Sequence, residues 1–171
     1  MLDRRDFLLA ALATLTSGHA AATLPALPAP AGDVILTVTG DLAVSNGNGV
    51  ARFDRALLDS LGHAELETVT PWTDGMQRFA GVPALRLVEA LGSRASRLET
   101  RALNDYAVAI PRSDLESYPV LLATHRDGAP LPVRERGPIW VVYPWSQYPE
   151  LDRRIYRQRS IWQLVAVNLA S

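Results

Sequence analysis

The 171 residues carry 17 basic against 18 acidic side chains and no cysteine. A chain of this length, 48% hydrophobic, fills one core and is too short for two ordinary domains, and its net charge of −1 gives no chain-wide attraction to nucleic acid or acidic lipid. Without cysteine, disulfides, thiolate nucleophiles and thiolate–metal bonds are excluded together. All 17 basic residues are Arg, which excludes Schiff-base and lysine general-base chemistry as well.

The chain opens "MLDRRDFLLAALATLTSGHAAATLPALPAP". A charged start, an apolar run from Phe7 to Leu15 and a small-residue stretch from Ser17 to Ala22 have the three-part form of an export signal. The run falls short of the roughly 20 residues that span a bilayer. Arg4 and Arg5, followed by Asp-Phe-Leu, resemble the twin-arginine signal in particular, which implies a periplasmic protein that crosses the membrane folded. The spacing therefore predicts a signal over residues 1–22, cleaved after Ala22 or Ala20. A Pro/Ala-rich linker follows over 23–32, whose stretch Leu24 to Ala31 is dispensable for stability, and a single domain occupies 33–171.

"DVILTVTG", residues 33–40, alternates as a strand. "SNGNG", residues 45–49, is a turn. Asp54 caps a helix that buries Leu57, Leu58 and Leu61 and stops at Gly62. "ELETVT" alternates again and leads into "PWTDGMQRFAGV", read as a loop, after which a helix begins at Gly81-Val82-Pro83 and buries Leu85, Val88 and Leu91. "RLETRALNDYAVAIP" gives two strands joined by a turn at Asn104-Asp105, and Ser113 caps a short turn. "PVLLATHRDGAPL" is a strand running into a hairpin at Asp127-Gly128. "GPIWVVYP" is a wholly apolar strand, "SQYPELDRRIYRQRS" a polar loop with a short helix, and "SIWQLVAVNL" a final strand. Hairpin turns outnumber helical crossovers, so the expected class is α+β with mixed and antiparallel sheets.

His63 and His125 stand in no metal-ligating pattern, and no G-x-S-x-G elbow or Gly-rich phosphate loop is present. Trp72, Trp140, Tyr143, Trp145 and Tyr148 flank the two loops that follow apolar strands, with Arg78, Arg134 and Arg136 in or beside them. If those loops meet, they form a pocket with flat apolar walls and guanidinium groups for an anion. In the alternative, Trp140 belongs to the core and Tyr143 and Trp145 stack at a strand end.

The order "TVTPWTDGMQRFAGVPALRLVEALG", "NDYAVAIPRSDLESYPVLLATHRDGAPLPVRERGPIWVVYP" and "SIWQLVAVNL" resembles the oxidoreductase molybdopterin-binding domain of the sulfite oxidase family. The family features fall on Gly81-Val82, Asp105-Tyr106, Ile110-Pro111, Leu121 to Ala123, Asp127-Gly128, Pro130-Leu131, Gly137-Pro138, Pro144 and Trp162, across nearly the whole domain. The resemblance implies a sulfite-oxidase-like fold of mixed sheets with a few short helices. It also implies a molybdopterin whose metal is tied to one cysteine. That cysteine belongs near Thr68, where this chain has none, and Trp140 stands where the family strand usually has Arg. The ligand-binding candidates are Trp72, Asp74, Arg78, Asp105, Tyr106, Arg136, Trp140, Tyr143 and Trp145; the catalytic residues stay unassigned.

Two functions fit. One is a periplasmic molybdopterin-binding oxidoreductase with an oxygen ligand in place of sulfur. The other is a non-catalytic ligand-binding or sensory module on the same fold, taking a small anionic or planar ligand and acting with a membrane-bound sensor or redox partner.

Overall fold

The structure is a computed structural model that describes residues 26–171. The expected signal and the first residues of the expected linker lie outside the described residues. In chain order the strands are β1 (Leu36–Gly40), β2 (Ala51–Phe53), β3 (Ala64–Thr68), β4 (Gln77–Pro83), β5 (Arg97–Ala102), β6 (Ala107–Pro111), β7 (Leu121–Arg126), β8 (Ala129–Pro130), β9 (Trp140–Val142) and β10 (Leu164–Ala170). The helices are α1 (Arg55–Asp59), α2 (Ala84–Ala90), α3 (Arg112–Ser117) and α4 (Arg154–Arg159).

One sheet has the order β2-β1-β10-β5-β6; the other runs β3-β4-β7, with β7 pairing both β8 and β9. Among the described residues only β1 with β10 is parallel, through Thr37 to Gly40 against Ala166 to Leu169. The fold is therefore α+β with mixed sheets. Its hairpins sit where the turn residues placed them: Asp105 is left-handed (φ 62°) between β5 and β6, and Asp127 (φ 50°) with Gly128 (φ 81°) turns β7 into β8.

Burial explains the two kinds of strand. In β5, Leu98, Thr100 and Ala102 are buried while Glu99 and Arg101 face solvent, which is the alternation of a sheet with one wet face. In β7 and β9, by contrast, successive residues enter two separate cores. Leu122 and Val141 join a large cluster with Leu36, Phe53, Leu87 and Leu164, whereas Leu121, Ala123, Trp140 and Val142 join a smaller one with Leu66 and Phe79. Both faces are covered, so "IWVVY" is apolar throughout.

Several expectations change: α1 ends at Asp59 rather than at Gly62 and fully buries Leu58 alone. Residues 77–83, read as loop and helix start, form β4, because β3 and β7 supply its hydrogen-bond partners on both sides. Gly81 is required there: a Cβ would collide with the Leu122 carbonyl where the β4–β7 register shifts. The helix consequently begins later, at Ala84, and its fully buried face is Leu87, Val88 and Leu91, with Leu85 only partly buried. Ser113 makes no cap; Pro111 occupies the N-cap of α3 and offers no side-chain bond.

The linker is docked as well. Leu27 packs on the large core, the Pro28 carbonyl accepts from Asn46 Nδ2 at 2.9 Å, and Asp54 Oδ2 accepts from the backbone N–H groups of Ala31 and Gly32, each at 2.7 Å. The other carboxylate oxygen of Asp54 caps α1 by accepting from Leu57 N at 2.7 Å. The helix cap and the linker thus share one side chain.

The Leu57 and Gly32 N–H groups, in that order, hold the Asp54 carboxyl below its ordinary value near 3.8. A carboxyl whose folded value is depressed binds its proton more weakly in the folded chain, so its stabilisation is present above the ordinary value and is lost as pH falls through the depressed one. Asp54→Asn should be less stable than the parent at neutral pH. In urea titrations across pH 2–7 that gap should narrow below about 3.8; a constant gap would contradict this account.

Candidate functional site

The segment after β3 is fastened before it reaches its aromatic residue. Thr68 is fully buried and its hydroxyl exchanges contacts with Ser146: Ser146 N donates to Thr68 Oγ1 at 2.9 Å, the two hydroxyls lie 3.2 Å apart, and Val69 N donates to Ser146 Oγ at 2.9 Å. Thr68 Oγ1 also donates to the Val69 carbonyl at 2.9 Å. Past this clasp, Thr70 Oγ1 meets Thr73 Oγ1 at 2.9 Å and accepts from Trp72 N at 3.2 Å, forming a small polar turn.

That turn delivers Trp72 to an aromatic cluster. Its ring meets Trp162 at 5.5 Å between centroids, Trp140 at 6.0 Å and Trp145 at 6.1 Å, all edge to face. Arg136 secures the arrangement from the far side. Its guanidinium lies 5.0 Å from the Trp140 ring and 5.5 Å from Trp162, and Nη2 donates to the Trp72 carbonyl at 3.2 Å.

Beside Trp72 and Trp162 opens a cavity of about 330 Å³. Ala102, Ser160 and Ile161 form its buried wall; Asn104, Tyr106, Arg154, Arg157 and Gln158 form its exposed rim. Tyr106 is held across the rim by its hydroxyl, which donates to the Gln158 carbonyl at 3.1 Å. The lining is mainly apolar and flat with two guanidinium groups at the edge, which suits a planar ligand bearing negative charge.

Of the residues predicted from sequence, Trp72 and Tyr106 line this cavity, and Trp140, Trp145 and Arg136 support Trp72 from behind. Trp140 is fully buried, in agreement with its core alternative. Asp74, Arg78 and Asp105 are exposed and not part of the lining; Arg78 instead faces Glu65 at 3.9 Å on β3. Tyr143 is fully buried and belongs to the framework. Sequence reading missed Arg154, Arg157, Ser160 and Trp162 as lining residues. The run "RRIYRQRS" was a visible cluster of charge, but only tertiary packing turns it toward Trp72.

That packing rests on Asp114 of α3. Its Oδ2 accepts from Tyr143 Oη at 2.8 Å and from Arg159 Nη1 at 2.9 Å, with Asp114 and Tyr143 both buried. Burial first, then the charge of Asp114 and its hydrogen bond, push the Tyr143 phenol far above its usual range, so it remains a neutral donor. Arg159 ends α4, and the α4 residue Tyr156 packs on Tyr118 and Tyr143 with centroids 5.8 and 5.6 Å apart. The rim of the cavity is therefore anchored through one carboxylate.

No family model matches the chain, and no curated protein matches it. The residues near Thr68 do not fit a thiolate-ligated molybdopterin. A threonine hydroxyl is a hard oxygen donor, this one is engaged by Ser146 and Val69, and Thr68 is not part of the lining of the cavity at Trp72. Among the described residues no group of three or more His, Asp or Glu side chains could hold a metal ion.

Removing Asp114 leaves a buried phenol and a mostly buried guanidinium without their acceptor. Asp114→Ala should cost about 3–5 kcal/mol in denaturant unfolding, and Tyr143→Phe about 1 kcal/mol. In the Asp114 variant, amide exchange at residues 154–159 should accelerate more than in β5. Equal acceleration in both segments would detach α4 from this anchor.

Proposed function

We propose that the chain is an exported, non-catalytic binding module on the sulfite-oxidase-like molybdopterin-binding fold. It takes a small planar, anionic ligand beside Trp72 and Trp162 and acts with a membrane-bound sensor or redox partner in the periplasm. The observation that carries this reading is the cavity itself, with aromatic walls fixed by the Trp72–Trp162–Trp140 contacts and with Arg154 and Arg157 at its mouth. The walls are preorganised, so binding requires little ordering of side chains. The Thr68–Ser146 clasp supports a binding role over a molybdopterin-dependent oxidoreductase, because it occupies the hydroxyl that would replace the family's thiolate.

The test is to purify the protein from its own periplasm, denature it, and analyse what is released by mass spectrometry and metal analysis. A small organic ligand, absent from folded Trp72→Ala protein, is the expected result, without near-stoichiometric molybdenum or tungsten. Near-stoichiometric molybdenum or tungsten would overturn the reading in favour of the oxidoreductase. Retention of the organic ligand by Trp72→Ala would move the site elsewhere.

A further inference from the structure

The aromatic residues of this chain are gathered rather than scattered. All four Trp and four of the five Tyr stand in one unbroken series of ring contacts. Trp140 and Trp162 meet Trp72 beside the cavity, Trp72 meets Trp145 at 6.1 Å between centroids, and Trp145 meets Tyr143 at 6.2 Å. From Tyr143 the series continues to Tyr156 at 5.6 Å, from there to Tyr118 at 5.8 Å, and on to Tyr148 at 5.1 Å. Its Trp end lines the cavity, and at its other end Tyr118, Tyr148 and Tyr156 are each half-buried and reach solvent. Packing explains why rings meet in pairs. It gives no reason for the other three Trp to lie on one side of Trp145 and the Tyr on the other.

In a chain without cysteine, Trp and Tyr are the side chains that lose one electron most readily, and an electron crosses between rings in contact far faster than between separated ones. Where the vacancy stops is decided by the proton. An oxidised indole or phenol is a strong acid, and it settles as a neutral radical only where a base takes its proton. Among the described residues three buried side-chain polar atoms have no hydrogen-bond partner: Trp145 Nε1, Arg159 Nε and Ser160 Oγ. Trp145 Nε1 is closed to solvent and meets no acceptor, so an oxidised Trp145 keeps its proton and stays a strong oxidant. Trp140 Nε1 meets only the Ser160 carbonyl, at 3.3 Å, which is too weak a base to keep a proton. Tyr143 is the opposite case: its hydroxyl donates to Asp114 Oδ2 at 2.8 Å, close enough for direct transfer. Arg159 Nη1, 2.9 Å from the same oxygen, weakens Asp114 as a base, but an oxidised phenol is acidic enough to protonate it.

We propose that this series is a conduit for one-electron oxidation, which carries an oxidising equivalent away from the cavity through Trp145 and sets it down on Tyr143. A peroxyl radical takes one electron from Trp72 and leaves as the peroxide anion; Trp145 then refills Trp72, and Tyr143 refills Trp145. In that last step the phenol gives its electron to Trp145 and its proton to Asp114, leaving a neutral phenoxyl radical and a neutral carboxyl group. One electron from a small reductant of the ascorbate class, passed through Tyr156, and the proton returned by Asp114 restore the phenol. The net change is one electron moved from reductant to oxidant, with no bond of the protein altered. The conduit keeps oxidative damage away from the cavity walls, and it operates with or without a ligand there, so it goes beyond the binding reading without resting on it.

Pulse radiolysis of the purified full chain with azide radical tests this, because azide radical oxidises Trp in preference to Tyr and the two residue radicals absorb at different wavelengths. The indole-radical signal should convert into phenoxyl signal in a first-order process that is independent of protein concentration and slower in heavy water than in ordinary water. Trp145→Phe keeps a ring in the packing and should lose the conversion. Tyr143→Phe, which removes only one hydroxyl, should lose it too and carries the test alone if Trp145→Phe fails to fold. Tyr148→Phe, beyond the resting place of the radical, should retain it. Conversion at the parent rate in Trp145→Phe or Tyr143→Phe would overturn the proposal, as would its loss in folded Tyr148→Phe. A rate that rises with protein concentration, or one that is equal in the two waters, would overturn it as well.

Discussion

A single carboxylate, Asp114, ties together the three pieces of chain that the candidate site needs. It receives Tyr143 from just beyond β9 and Arg159 from the end of α4, while its own helix follows β6 directly. Burial makes such a pair of bonds demanding, because charge taken out of water has to be matched where it lies. The match sets the position of α4 against the sheet, and α4 supplies the rim of the cavity. Geometry at the site is thus inherited from a contact that no ligand would touch.

A second constraint works from the opposite side. Trp72 enters the cluster only because Thr68 and Ser146 fasten the chain ahead of it and Arg136 accepts the load behind it, stacked near Trp140 and Trp162 while bonded to the Trp72 carbonyl. Edge-to-face contacts among the tryptophans fix ring orientation beyond what area burial alone would do. The cavity wall is in this sense an extension of the smaller core. A loop that would otherwise wander has become part of the framework.

What the sequence disclosed follows from the range of the interaction concerned. Asp54 was legible as a cap, and Asn104-Asp105 and Asp127-Gly128 as turns, because each is decided within a few residues. The α+β class was legible for the same reason. β4 was hidden since Arg78, Ala80 and Gly81 show no strand signature, and its pairing is imposed by β3 and β7. Trp72 and Tyr106 stood out as aromatics near loops, but Asp74 and Arg78, equally prominent in the same stretch, face elsewhere. Ser160 carried no signal at all: its isolation from partners is a property of the packed structure.

β10 lies between β1 and β5 in the first sheet, although it is the last strand in chain order. Its parallel pairing joins residues about 130 positions apart, as Thr39 with Asn168 shows. Chains are made from the N-terminus, so β1 and β5 exist for a time with bare edges facing each other across a gap. Bare edges invite strands from other molecules. Until β10 docks the sheet has no middle, so its two outer pairs of strands cannot close on one another, and a copy in which β10 is displaced is recognisable by its open strands.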